Sequence, residues 1–235
     1  MDKKQPTYWD HLEDLRQRIL VCLFIFLLFS VISFFVVDKI LIFLKKLLEA
    51  YNITLNYFKP YEKFLTYIKV ATLSGLILTI PFIFLQAGIF IYPALKEGER
   101  KIFLFFLFFS FFVFLGGLLF GYFVIFPMAI RFFVEFTRND PFNSLWGITS
   151  YIDMLSGIII ASGFVFQLPL ILIFLIKMKI LKLEVIVKYR KYVILLIAIL
   201  ASIFSPPDIL SMFFVGIPLY LLFEISILLG RFFSK

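Results

Sequence analysis

The stretch IFLFFLFFSFFVFLGGLLFGYFVIFP, Ile102–Pro127, carries no charged side chain and no alternation of apolar with polar residues. A bilayer core needs about 20 apolar residues per spanning helix, so a run of this length reads as a membrane span. Five further runs are of the same kind: Ile19–Val37, Val70–Tyr92, Ile152–Ile176, Tyr192–Phe204 and Ile209–Leu229. Among them Tyr192–Phe204 is short. Unpaired peptide groups are costly in hydrocarbon, so only helices and closed barrels cross it, and runs without in–out alternation exclude a barrel. The sequence therefore predicts an all-α integral membrane protein with six transmembrane helices in a single membrane domain over residues 1–235.

Composition points the same way, because 63% hydrophobic residues and 35 phenylalanines exceed what a water-soluble interior of this size can hide. Cys22 is the one cysteine and lies inside the first run, which leaves no intramolecular disulfide. With His11 as the one histidine, a zinc site of the usual four ligands is not expected, nor is any cofactor. Asp2, Asp10, Glu13 and Asp14 precede the first run and no small-residue cleavage site follows it, so that span is expected to be retained.

Charge in the joints gives an orientation. Fifteen lysines and arginines fall in residues 1–18, 93–101, 177–191 and the tail, against eight in 38–69, 128–151 and 205–208. The positive-inside rule then places both termini in the cytoplasm. The net charge of +8 thus sits where topology and anionic headgroups demand it, and a nucleic-acid partner is not expected. In the longest joint, Ile40, Leu41, Phe43, Leu44, Leu47 and Leu48 share one helical face while Lys45, Lys46 and Glu49 occupy the other. This predicts an external amphipathic segment over 40–50, followed by a helix start at Pro60. A second external segment is expected over 128–137, closed by the breaker Asn139-Asp140-Pro141. Pro81, Pro93, Pro127, Pro169, Pro206, Pro207 and Pro218 lie within or at the ends of the runs, either as ordinary membrane-helix prolines or as bends that make a concave wall.

Few polar side chains lie deep in the runs. Gln167 stands near the middle of the fourth, suited to a hydrogen bond between helices or to lining a hollow. Glu224 stands in the last third of the sixth, where it must snorkel or face protein or water. At the cytoplasmic rim, His11-Leu12-Glu13-Asp14-Leu15-Arg16-Gln17-Arg18 and Pro93–Lys101 place carboxylates among basic residues. Asp14 to Arg18 and Glu97 to Lys101 are each one helical turn apart, the spacing of ordinary surface ion pairs.

The order of these motifs resembles the TatC family, the multi-spanning core of the twin-arginine protein translocase. His11-Leu12-Glu13-Asp14-Leu15-Arg16 is similar to that family's N-terminal H-L-x-E-L-R, and Phe90-Ile91-Tyr92-Pro93-Ala94-Leu95 through Glu99-Arg100 to its first cytoplasmic loop. Pro60-Tyr61-Glu62 with Lys69 resembles its first external loop, and Tyr122–Pro127 the end of its third span. Ser205-Pro206-Pro207-Asp208 and Ile217–Glu224 resemble its last external turn and sixth span. The likeness runs nearly the length of the chain.

What the resemblance implies is a receptor and assembly platform of the bacterial inner membrane rather than an enzyme. Its partners would be twin-arginine signal peptides on folded cargo, TatA/TatB-type single-span proteins, lipid and further copies or subunits in an oligomer, with export driven by the protonmotive force. By motif position Glu99 and Asp14, with Glu13, Arg16, Phe90 and Arg100, would form the signal-peptide site. Pro60, Glu62, Lys69 and Asp208 would be the external-loop residues. Asp14 is one methylene shorter than the family's usual glutamate. Phe166-Gln167-Leu168-Pro169 stands where the family has F-E-x-P, so no proton can be exchanged at residue 167. Two rival classes remain on residues alone. A secondary transporter would use a polar midplane site between inverted halves, but the halves share no pattern. An intramembrane hydrolase needs a nucleophile and base at depth, and no histidine lies in any run.

Overall fold

The computed structural model describes residues 8–49, 51, 53–138, 145–178, 180–204 and 209–233. The expected Asn139-Asp140-Pro141 breaker and the Ser205–Asp208 turn, Asp208 included, lie outside the described residues. The chain groups into two compact units, Met1–Lys46 with Lys59–Phe111 and Leu47–Phe58 with Phe112–Lys235.

The first unit is built on α1 (Tyr8–Phe34), α2 (Val37–Glu49), which ends in the other unit, α3 (Glu62–Ile91) and the start of α4 (Glu97–Phe120). α1 and α3 run antiparallel, with Phe34 edge-on to Tyr67 and Phe29 against Phe82 at 5.6 Å between ring centroids. Their backbones come close because one residue between them has no side chain: a Cβ on Gly75 would meet the Ser30 Cα at 2.7 Å. Gly88 plays the same part for the Leu107 side chain of α4. α2 is helical where the amphipathic pattern predicts, and the Tyr67 hydroxyl donates to Asp38 in its first turn. α3 begins at Glu62 rather than at Pro60, which sits in the turn before it. The Lys59 N–H donates to Glu62 Oε2 at 3.1 Å, closing the turn that the proline opens.

In the second unit the third apolar run does not stop at Pro127. α4 passes through a π-helical turn, Gly121–Ile125, into α5 (Phe126–Thr137), so the helix continues through the residue at which the sequence ended the span. The cause is local: proline has no N–H to give and its ring crowds the carbonyl four residues back. The preceding turn widens by one residue, and the Phe126 N–H reaches back to the Gly121 carbonyl. The segment 128–137 is therefore a continuation of the third helix. Pro81, Pro169 and Pro218 likewise lie inside helices that run on past them.

α6 (Ile148–Lys177) crosses α4 at its small residues. A Cβ on Gly117 would meet the Ser162 carbonyl at 2.7 Å and the Gly163 Cα at 2.9 Å, while one on Gly121 would meet Ser162 Oγ at 2.8 Å. Gly163 in turn accepts the ring of Phe114. This is the small-xxx-small contact by which membrane helices associate when lipid gives no hydrophobic drive. α7 (Leu183–Lys188), α8 (Arg190–Phe204) and α9 (Ile209–Phe233) complete the unit, with Ile176, Ile186, Phe223 and Ile227 as a core where α6, α7 and α9 meet. A two-residue parallel ladder, β1 (Leu55–Asn56) with β2 (Trp146–Gly147), adds a strand pairing that an all-α reading did not contain.

Among the described residues, four helices are long and apolar enough to cross a membrane: His11–Phe34, Glu62–Ile91, Glu97–Thr137 and Ile148–Lys177. The fifth and sixth runs form α8 and α9, the latter holding a shorter apolar core at Val215–Leu228. Outward faces are apolar, with Phe24, Phe108 and Phe164 at 60% exposure or more, as suits a surface against lipid.

The α4–α6 crossing yields a matched pair of expectations. Gly117→Ala forces two backbones apart and lowers stability by about 1–3 kcal/mol. Gly116→Ala meets nothing within 4 Å, so there the alanine gains about 0.5–1 kcal/mol of helix propensity. Thermal unfolding in detergent should order the three proteins Gly116→Ala, wild type, Gly117→Ala.

Candidate functional site

The residues that the sequence assigned to a signal-peptide site belong to the first unit, on the N-terminal part of α1, the C-terminal end of α3 and the start of α4. Asp14 lies in the second turn of α1. Arg18, one turn on, clasps it with both arms of its fork: Nε donates to Oδ2 at 2.9 Å and Nη2 sits 2.9 Å from Oδ1. The remaining arm crosses to α3, where Nη1 donates to Gln86 Oε1 at 3.3 Å. Gln86 is one turn before half-buried Phe90, which puts the two on one face of α3. The Arg18 side chain is largely covered, at 19% exposure, while the Asp14 side chain keeps 41%. Glu13 points elsewhere, toward Arg16 at 3.2 Å and the Gln17 amide, in an exposed group.

After α3 a short 3₁₀ turn, Tyr92–Ala94, reverses the chain. The Lys96 N–H donates to Glu99 Oε2 at 3.1 Å, and the Glu99 N–H donates to the Lys96 carbonyl at 2.9 Å, a reciprocal closure of the first turn of α4. Glu99 thus holds its own helix start and stands half-buried at the positive end of that helix dipole. Arg100 folds back, its Nε donating to the Leu95 carbonyl at 3.2 Å and its guanidinium lying 5.0 Å from the Tyr92 ring centre. What results is two anchored carboxylates, each fixed by a different intramolecular partner. Sequence reasoning missed Gln86 and the helix-capping role of Glu99. Spacing had suggested the Asp14–Arg18 pair.

The deep polar residues lie in the second unit. Gln167 is buried in α6 at 6% exposure, one turn beyond the Gly163 crossing. Its neighbour Phe166 packs on Phe120 at 5.2 Å. Glu224 of α9 does not stand alone: it pairs with Arg190, the first residue of α8, which also donates to the Tyr220 hydroxyl and covers that ring. Arg190 is a partner for Glu224 that sequence reasoning did not assign. Among the residues expected in an external loop, Pro60 is exposed, Glu62 is buried at 8% and Lys69 is half-buried with a partner of its own. A cleft of about 290 Å³ in the second unit, lined by Phe58, Phe133, Trp146, Ser150, Tyr151 and neighbours, takes in none of the sequence-named site residues. Among the described residues no cluster of three or more histidine, cysteine or acidic side chains could hold a metal.

The family model described as Sec-independent protein translocase protein (TatC) matches residues 10–218. This chain belongs to the TatC family. The TatCy protein of Bacillus subtilis (strain 168), a Sec-independent protein translocase protein, is 33% identical over 231 residues, covering 98% of this chain and 91% of that protein. The TatC protein of Carboxydothermus hydrogenoformans is 34% identical over 233 residues, covering 99% of this chain and 96% of its own. A crystal structure of the twin-arginine translocase receptor TatC superposes with a TM-score of 0.80 at 31% identity, covering 96% of this chain and all of that one, 100%. The chain is accordingly a translocase subunit and a multi-pass membrane protein, and the family expected from the motifs is the family found.

The Arg190–Glu224 pair is 44% and 25% exposed at its two side chains. A partly screened pair of this kind should show a coupling of about 1 kcal/mol in a double-mutant cycle of Arg190→Ala and Glu224→Ala, read by thermal unfolding.

Proposed function

We propose that this chain is the receptor of a twin-arginine translocase in a bacterial inner membrane, crossing it six times as one membrane domain with both termini in the cytoplasm. It binds the paired arginines of signal peptides on folded cargo and gathers small single-span partners for export driven by the protonmotive force. The observation that carries this reading is the anchoring of Asp14 and Glu99. Each is a carboxylate held in a set orientation among basic residues, at helix starts that the positive-inside count assigns to the cytoplasm. A guanidinium presents a planar fork that a fixed carboxylate accepts through paired hydrogen bonds, and an ammonium does not. Phe90 adds an apolar wall on the face of α3 that carries Gln86.

Partner docking is the less constrained half. α8 is 15 residues long, about 22 Å at 1.5 Å per residue. A span shorter than the hydrocarbon thickness draws the bilayer inward, and such a thinned margin favours assembly of single-span partners around this side of the second unit.

The test separates charge from structure. Glu99→Gln removes the charge but keeps an oxygen for the Lys96 N–H, so the helix start survives. Binding of an Arg-Arg signal peptide to the full chain in nanodiscs should weaken about tenfold or more, with unfolding temperature unchanged. Unaltered affinity removes Glu99 from the site. Glu99→Ala loses both charge and closure, and should also lower stability by about 0.5–2 kcal/mol.

Orientation has its own readout. In a Cys22→Ser background, single cysteines placed at Lys182 and at Tyr57 should react with a membrane-impermeant maleimide from opposite sides of oriented vesicles. Labelling of both from one side sinks the topology.

A further inference from the structure

The carboxylate expected to receive a signal arginine is already holding one. Both oxygens of Asp14 face the fork of Arg18, at 2.9 Å each, and Gln86 of α3 steadies the third arm at 3.3 Å. The Arg18 side chain is 19% exposed and the Asp14 side chain 41%, so the acid is approachable from outside although its preferred geometry is filled from within. We propose that Arg18, held by Gln86, is a specificity-determining residue: an internal guanidinium that an incoming cationic side chain must displace from Asp14. This rests on the signal-peptide reading above and deepens it.

The chemistry follows from what exchange requires. An open carboxylate at a membrane rim accepts any cation, arginine or lysine, on charge alone. A carboxylate already clasped by a fork gives up two charge-assisted hydrogen bonds when the fork leaves, and the newcomer must replace both. A peptide guanidinium does so one for one, and the exchange is close to neutral before its other contacts are counted. A lysine ammonium makes point contacts without matching the fork, so it loses against the resident arginine. Arg18 therefore acts as a competitor that excludes lysine more than arginine, a repulsive element in the sense that selectivity is a difference of affinities. Gln86 supplies an acceptor to which the displaced guanidinium stays bound, so Arg18 leaves Asp14 without being stranded beside the apolar face of α3.

The experiment measures equilibrium binding of fluorescent Arg-Arg and Lys-Lys signal peptides to the full chain in nanodiscs, for wild type, Arg18→Gln and Gln86→Glu. Arg18→Gln removes the competitor. Gln86→Glu keeps it but offers a second carboxylate that draws it off Asp14, and so guards against a fold defect in the first variant. Each should tighten Lys-Lys binding by about fivefold and narrow the preference for Arg-Arg. An unchanged preference in both variants, or equal weakening toward both peptides, overturns the inference and leaves Arg18 a structural tie between α1 and α3. Glu99→Gln run alongside separates the two levels. Loss of the Arg-Arg preference there, with the preference intact in both Arg18→Gln and Gln86→Glu, defeats this inference alone. A wild-type chain that binds neither peptide defeats the signal-peptide reading as well.

Discussion

A peptide group in hydrocarbon has no water to pair with, and apolar surface in lipid gains nothing by meeting other apolar surface. The chain answers both constraints at once. Backbone bonds close within helices, and the helices meet where side chains are too small to hold them apart: Gly75 on Ser30 in one unit, Gly117 and Gly121 on Ser162 and Gly163 in the other. Three of the buried hydroxyls are turned back on their own helices, with Thr79 donating to the Gly75 carbonyl, Ser162 to Ile158 and Ser226 to Leu222. Polarity inside the spans is thereby spent locally, and chemistry that must address another molecule is pushed to the helix ends.

At those ends charge is ordered by intramolecular bonds. Asp14 is held by Arg18 and Glu99 by the Lys96 N–H, and Glu224, farther inside its helix, by Arg190 at the start of α8. The three differ in what the bond leaves over. Glu224, with Tyr220 beside it, ties α8 to α9. Glu99 closes a helix start through one oxygen and keeps acceptor capacity on the other. Asp14 is clasped through both oxygens. Such fixation lowers the ordering entropy that a flexible acidic loop would lose on binding, at the expense of a resident partner that has to move.

Much of this was legible from residues alone, for identifiable reasons. α1, α3, α4 and α6 followed from run length, and α2 from the helical spacing of Ile40, Leu44 and Leu48. The continuity of the helix past Pro127 was not legible, because a proline reads as a break. A helix can instead take one extra residue into the turn ahead of a proline, and it does so from Gly121, the residue that lies against α6. The Asp14–Arg18 pair was available from its spacing within one helix. Gln86 and Arg190 were not, because each meets its partner across helices, and the register of α1 on α3 or α8 on α9 is set by packing that a string of apolar residues does not encode. Glu99 was noticed as a charge and missed as a cap, since Lys96 lacks the hydroxyl that usually marks the position before a helix.

Gln167 brings the constraints together. It is buried at 6% on α6, one turn past the Gly163 crossing and beside the Phe166–Phe120 contact. A charged carboxylate at such a depth carries a penalty of about 2.5–3.5 kcal/mol on insertion scales, and it tolerates close packing only with a partner or water at hand. The amide carries no such charge and still offers a donor and an acceptor. The F-E-x-P pattern that this segment resembles has therefore been changed in its chemistry and kept in its shape: Phe166 and Pro169 stay, hydrogen bonding stays, and proton exchange goes. Any step of translocation that takes or releases a proton must then use a group other than residue 167. Of the acids that remain, Asp14, Glu99 and Glu224 are each committed to an intramolecular partner.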